Sequence, residues 1–229
     1  YPGAGGNCGV TIVGGASCTI GLTFDPLAPA AAHADILQIN YFDSVGAQTT
    51  NYNLLGRGAN PALINISEVN PYDYGTVALG ASSSHVFTLT NAGSVTATAM
   101  IDVAFVGPFD YTGGGGYPGT GGTCGATLGA GLTCTISVEY TPIAAVLSPD
   151  TIQINYNDGA VAAVSTRTVQ GTGANPANVT IDGGPTYDFG VQTLSTTSTN
   201  TFTLNNIGGV DATVMAGSGL ASPFSFRAT

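Results

Sequence analysis

At 229 residues, with 43% hydrophobic and only 7% charged positions, the chain is too apolar to be disordered, and its glycine (34 residues) and β-branched content argue against helices. Its cations are Arg57, Arg167 and Arg227, with no lysine, set against 13 acidic residues for a formal charge of −10. That balance excludes nucleic acid as a partner and disfavours anionic membrane surfaces, and the lack of lysine excludes P-loop chemistry, Schiff-base catalysis and lysine isopeptide crosslinks.

The chain opens on Tyr1-Pro2-Gly3-Ala4-Gly5-Gly6-Asn7-Cys8-Gly9, which returns as Tyr117-Pro118-Gly119-Thr120-Gly121-Gly122-Thr123-Cys124-Gly125 at an offset of 116. Within each copy a second cysteine follows 10 residues on, Cys18 and Cys134. An even cysteine count at one repeated spacing, without a histidine cluster, reads as two local disulfides rather than a zinc site. Each closes a short loop and stabilises its surroundings by roughly 2–3 kcal/mol. Disulfides that persist imply an oxidising compartment, so the expected location is extracellular or the cell surface. No apolar run is long enough to span a membrane, and Tyr1 stands inside a pattern with no signal peptide before it. A processed product, or a piece of something longer, is expected.

Further along, Ile39-Asn40-Tyr41 matches Ile154-Asn155-Tyr156, and Gly56-Arg57-Gly58-Ala59-Asn60-Pro61-Ala62 matches Gly171-Thr172-Gly173-Ala174-Asn175-Pro176-Ala177, now at an offset of 115. Between these blocks, alternation and turn residues predict about seven strands, over 62–67, 85–91, 95–105, 124–128, 132–140, 151–157 and 164–171. In the second, Phe87 and Leu89 share one face, with Val86, Thr88 and Thr90 on the other. Gly129-Ala130-Gly131 is a hairpin turn that sets Cys124 opposite Cys134 across a ladder. Beyond 174, Tyr187-Asp188-Phe189-Gly190 echoes Tyr72-Asp73-Tyr74-Gly75. Thr201-Phe202-Thr203-Leu204-Asn205-Asn206 echoes Val86-Phe87-Thr88-Leu89-Thr90-Asn91, and Pro223-Phe224 echoes Pro108-Phe109.

Many landmarks in one register predict an all-β chain of tandem immunoglobulin-like β-sandwich repeats. Residues 60–174 form one complete repeat, 1–59 the C-terminal half of another, and 175–229 the N-terminal half of a third. A half sandwich leaves its sheet face uncovered, so each half is expected to be completed by a neighbouring copy.

Motifs with chemistry attached have plainer readings. Gly114-Gly115-Gly116-Tyr117-Pro118-Gly119 matches GxGxxG, but Pro118 removes an amide and a cysteine hairpin follows in place of a helix, so no cofactor is expected. His33 and His85 have no histidine at their repeat equivalents, and no catalytic residue is assigned. Asp73 and Asp188, like Asp35 and Asp150, occupy matching places, yet without an Asp-x-Asp-x-Asp spacing they read as turn residues rather than a calcium site. Asn65-Ile66-Ser67 and Asn178-Val179-Thr180 are glycosylation triplets at non-equivalent places.

The order Phe/Tyr-Gly, Phe-Thr-Leu-x-Asn-x-Gly, Pro-Phe, a Cys…Cys-Thr-Ile hairpin, Phe/Tyr-x-Pro and Gly-x-Gly resembles the choice-of-anchor D, Hydin-like immunoglobulin-type repeats of bacterial surface proteins. The resemblance covers the whole chain. It implies a sandwich of seven or eight strands, an extracellular setting, a scaffolding or adhesive role and no shared catalytic residues. The expected function is then a non-enzymatic filament or stalk. Its partner is itself, head to tail, either as separate copies or as one continuous array, with Tyr1 and Pro2 of one copy meeting Phe226 and Thr229 of the next. The alternative is an adhesin whose loop tyrosines, Tyr1, Tyr111 and Tyr117, stack on glycans or touch surface proteins.

Overall fold

The computed structural model describes residues 1–29 and 32–227, which form strands, turns and bends with no helix among them. They divide into two compact units. One comprises Tyr1–Pro61 with Gly93–Val95, the other Ala62–Ala92 and the described residues from Thr96 onward.

In the first unit, β1 (Ala32–Phe42) and β2 (Ala47–Arg57) form an antiparallel hairpin in register from Ala32 opposite Arg57 to Phe42 opposite Ala47. Asp43 builds its turn by accepting hydrogen bonds from the amides of Gly46 (2.8 Å) and Val45 (2.9 Å), and those bonds hold its carboxyl below the ordinary range. Ahead of the hairpin lies the loop closed by the Cys8–Cys18 disulfide. The apolar side chains that follow it, Leu22 and Phe24, are exposed, as is Tyr41 on β1.

The second unit contains two four-stranded sheets. One has the order β4 (Tyr72–Ala78), β10 (Ala162–Ala174), β9 (Leu147–Asn157), β6 (Thr98–Asp102). The other runs β3 (Ile64–Ile66), β5 (Ser83–Asn91), β8 (Thr133–Tyr140), β7 (Phe109–Tyr111). Every pairing is antiparallel except β4 with β10. The core is built by alternation. Phe87 and Leu89 from β5 and Ile136, Val138 and Tyr140 from β8 are fully buried, and so are Ile152 and Ile154 of β9 and Val169 of β10. Two tyrosine hydroxyls cross between the sheets: Tyr74 donates to the Val138 carbonyl (3.0 Å), and Tyr156 accepts from the Ile64 amide (3.3 Å). This is an all-β fold whose sheets are consistent with an immunoglobulin-like β-sandwich. A separate short ladder, β11 (Val179–Ile181) with β12 (Leu204–Asn206), lies towards the end of the same unit.

The strands expected near 62–67, 85–91, 95–105, 132–140, 151–157 and 164–171 are present with shifted bounds. The strand expected over 124–128 is not. There the amides of Thr123 (2.8 Å) and Cys124 (3.1 Å) both donate to the Thr135 carbonyl, and the Thr135 amide donates to Thr123 Oγ1 (2.9 Å). A side-chain hydroxyl thus takes the place of a ladder partner, and only Leu128 makes a bridge, to Ala97. Cys124 and Cys134 therefore meet across this clamp rather than across a ladder. Within the two four-stranded sheets, β4 and β7 lie outside the expected ranges. Along β4 the pairing with β10 slips between Gln170 and Thr172, where Tyr74 and Gly75 stand against Gly171 alone, and Gly75 at φ 73° supplies the left-handed residue of that bulge.

Candidate functional site

The disulfides join Cys8 to Cys18 and Cys124 to Cys134, with Cα separations of 4.8 and 4.9 Å. Around each the same clamp is built. Asn7 and Cys8 donate to the Thr19 carbonyl (2.9 and 3.1 Å), as Thr123 and Cys124 do to that of Thr135. Asn7 Oδ1 accepts from the Thr19 amide (2.7 Å), standing in for the hydroxyl of Thr123. The Pro2 carbonyl accepts from Gly21 N, and that of Pro118 from Ser137 N, both at 2.9 Å. Further on, a Cβ on Gly171 would meet the Tyr140 ring at 2.5 Å, and one on Gly56 would meet the Phe24 ring at 2.5 Å. In each case glycine lets an aromatic ring lie against the backbone of the following strand.

Towards the other end of the chain, contacts like those around Tyr72 recur. Tyr72 packs edge-on against Tyr74 (5.0 Å) and Phe87 (5.2 Å); Tyr187 does the same against Phe189 (4.9 Å) and Phe202 (5.4 Å). Asp73 and Asp188 each accept from the amide two residues on, at 2.8 Å. Asn91 and Asn206 each accept, at Oδ1, the amide that precedes the paired strand, from Leu63 (3.1 Å) and Asn178 (3.0 Å). Registers agree as well: Ile64 lies opposite Asn91 and Val179 opposite Asn206. The difference is exposure. Leu89 is fully buried, whereas Leu204 is 51% exposed.

The groove beside Leu204, of about 350 Å³, is lined by Val179, Leu204, Asn206, Ala212 and Met215 among others. It was not foreseen from the residues. The available signal was the asparagine of Leu-x-Asn, recurring at Asn91 and Asn206, because a polar residue kept at the end of an apolar strand marks a specific hydrogen-bonding duty.

Of the residues expected at a subunit junction, Tyr1 and Phe226 are exposed, Pro2 is half-buried and Thr229 lies outside the described residues. Of the loop tyrosines expected to face a ligand, Tyr111 does not: it is 2% exposed, with its ring packed 5.2 Å from Phe105 and 5.8 Å from Tyr117. Tyr111 lies on β7, beside the fully buried Val138, and not on the glycine loop, which explains the correction. Tyr117 is half-buried and donates to the Gly125 carbonyl (3.3 Å). The GxGxxG stretch is a turn, closed by Gly119 N to Gly116 O at 2.8 Å, and leads into the cysteine clamp. His85 stacks on Tyr72 at 4.1 Å with Nε2 3.4 Å from Glu68 Oε1, while His33 lies 5.8 Å from Phe24. Asp150 accepts from the amides of Thr151 (2.7 Å) and Val106 (2.9 Å), and Asp35 from that of Ile36 (2.8 Å). Among the described residues no three His, Cys, Asp or Glu side chains gather into a metal-binding group. What the described surface presents is exposed apolar side chains on short ladders, beside short stapled loops.

Two outcomes follow. Replacing Cys124 and Cys134 together by serine lowers the stability of the sandwich by roughly 3 kcal/mol, as loss of a crosslink over a loop of this size implies. Urea unfolding followed by far-UV circular dichroism, with and without reductant, measures it. Alkali is the second. Burial raises Tyr74 and Tyr111 well above the ordinary tyrosine value, the latter with help from Asp102, and burial with Asp102 raises Tyr117 to about 12. Their unfolded forms ionise near 10. Between that value and the folded pKa the unfolded chain holds fewer protons, so stability is intact below about pH 10 and falls as pH rises through the raised values. The slope is at most about 1.4 kcal/mol per pH unit for each tyrosine. Urea midpoints from pH 8 to 12 check this, with Tyr117→Phe flattening the curve.

No protein-family model matches the chain, and no curated protein is similar to it in sequence. Solved structures give distant likenesses. The VesB protease of Vibrio cholerae is 16% identical (TM-score 0.36), covering 49% of this chain and 32% of the protease, so the chain spans about a third of that protein. An ASH/PapD-like domain of human CEP192 is 12% identical (TM-score 0.34), covering 49% of this chain and 86% of the domain. A protein of unknown function from Porphyromonas gingivalis is 10% identical (TM-score 0.37), covering 66% and 70%. At these values none bears on activity, and the fold assignment rests on the two sheets themselves.

Proposed function

We propose that the chain is a structural repeat unit of an extracellular filament or stalk, made of tandem immunoglobulin-like modules of about 115 residues. Residues 60–174 are a whole module, 1–59 a C-terminal half and 175–229 an N-terminal half. One observation carries this reading. The clamp at Cys8 and the aromatic cluster at Tyr187 share many hydrogen bonds and ring contacts with the two halves of the sandwich, while Leu22, Phe24, Phe202 and Leu204 beside them are exposed. Uncovered faces of this kind mark interaction surfaces. Disulfides fit an oxidising setting, and the absence of lysine leaves only three arginines as trypsin sites on an exposed stalk. The role is mechanical reach rather than chemistry.

The test is a single polypeptide of three copies fused end to end, imaged by negative-stain electron microscopy. A stiff rod, lengthened in proportion to the number of copies, is the expected result. Compact folded beads on a flexible string would refute it. The adhesin reading loses Tyr111 to the core, and no observation favours it over the structural one.

A further inference from the structure

We propose that the groove beside Leu204 is the socket for residues 10–16 of a second copy of this chain. The proposal rests on the repeat-array reading and specifies its joint. In the complete sandwich the equivalent groove is already filled. Ile64, Leu89, Asn91, Ala97 and Met100 stand where Val179, Leu204, Asn206, Ala212 and Met215 stand, and all five are buried. The group that fills it is Leu128. Its amide and carbonyl exchange hydrogen bonds with Ala97 (3.0 Å each), its carbonyl also accepts from Asn91 Nδ2 (2.9 Å), and Met100 N donates to the Ala126 carbonyl (3.0 Å). Leu128 is 5% exposed.

Ile12 is the repeat equivalent of Leu128, and it is 56% exposed. The turn that presents it is already formed, with Ala16 N donating to Val13 O (3.0 Å) as Leu132 N donates to Gly129 O (3.1 Å). The plug and the socket are therefore both preorganised, and each lacks the partner that the other has. Seating residues 10–16 of one copy pairs Ile12 with Ala212 of the other, brings Asn206 Nδ2 to the Ile12 carbonyl and Met215 N to the Val10 carbonyl. The same docking continues the sheet. Leu89 lies opposite Cys134 and Phe87 opposite Ile136, so Leu204 comes to lie opposite Cys18 and Phe202 opposite Ile20. This pairing closes a complete sandwich between the two copies, and because the two surfaces that meet are different, the contact is head-to-tail.

A cysteine crosslink reads the register. Ser84 faces Glu139 in the sandwich, and the corresponding positions are Thr199 and Thr23, both exposed. Facing residues of an antiparallel pair stand about 4.5–5.5 Å apart, within disulfide reach. Thr23→Cys and Thr199→Cys are made in separate full-length chains, mixed at equal concentration and oxidised, and the linked peptides are identified by mass spectrometry. The expected product is the 23–199 link in at least tenfold excess over 23–23 and 199–199 links. Ala212→Arg, which fills the socket with a charged side chain, cuts its yield about tenfold, equivalent to about 1.4 kcal/mol. Links in random proportions, or no effect of Ala212→Arg, would overturn the proposal. So would a double variant, Thr23→Cys with Thr199→Cys, that closes only within one chain. If separate copies fail to link while the fused three-copy chain still forms rods, this joint is wrong and the structural reading survives. If the rods are absent too, both fall.

Discussion

Phe87→Ala lowers the stability of the chain by about 4 kcal/mol, whereas Phe202→Ala, its repeat equivalent, changes it by less than about 1 kcal/mol. Phe87 is fully buried and packs edge-on against Tyr72 and His85, so truncation removes its transfer energy and leaves a cavity between two sheets that cannot close on it. Phe202 makes the same contact with Tyr187 but is 40% exposed, and water already reaches the space its removal would open. Urea unfolding by circular dichroism gives the first value, and hydrogen exchange of peptides from β5 and β12 assigns each loss to its segment. The contrast becomes a test of assembly when repeated in the fused three-copy chain. There Phe202 acquires the sheet that covers Phe87, and Phe202→Ala should approach the cost of Phe87→Ala at each internal junction. An unchanged small cost in the fused chain would mean that the halves do not close on one another.

Much of this architecture was legible in the residues because it depends on local chemistry. The alternation from Val86 to Thr90 assigns Phe87 and Leu89 to the core face without any partner being known. Equal cysteine spacings name the disulfides, and Gly129-Ala130-Gly131 names a turn. What escaped was decided by partners distant in sequence. Three residues, Phe109, Asp110 and Tyr111, become a strand only because β8 offers an edge to pair with, and no three-residue window carries that signal. For the same reason Tyr111 read as a loop tyrosine though it is a core ring. Residues 124–128 have a strand-like composition, yet the Thr123 hydroxyl and the Thr135 carbonyl divert the backbone from a ladder. The socket at Leu204 escaped because its identity lies in comparing one segment with a filled counterpart, which requires coordinates for both.

Asn91→Ala should cost about 2–3 kcal/mol, more than its small change in volume suggests. The side chain is fully buried at the end of β5, where its Oδ1 accepts the Leu63 amide and its Nδ2 donates to the Leu128 carbonyl. It thereby ties the first strand of the sandwich to the hairpin that plugs the core. Alanine leaves the part-buried Leu63 N–H without its acceptor, at about 1–3 kcal/mol, and strips the buried Leu128 carbonyl of one of its two donors, the other being Ala97 N. Asn91→Asp is the sharper variant: it keeps the acceptor for Leu63 but faces the Leu128 carbonyl with a second acceptor, and burying a carboxylate there raises its pKa. The protonated acid can donate to that carbonyl, so Asn91→Asp should recover stability as pH falls through its raised pKa, while Asn91→Ala gains nothing in that range. Urea midpoints of both variants from pH 4 to 8, each referred to the unsubstituted chain, separate the two. Parallel profiles would show that Asn91 fills space and that the Leu128 carbonyl does not depend on its amide. The same asparagine at 206 holds the amide of Asn178 and gives one N–H of its Nδ2 to Val210 O at 2.8 Å, which leaves the second N–H for the carbonyl of an arriving hairpin.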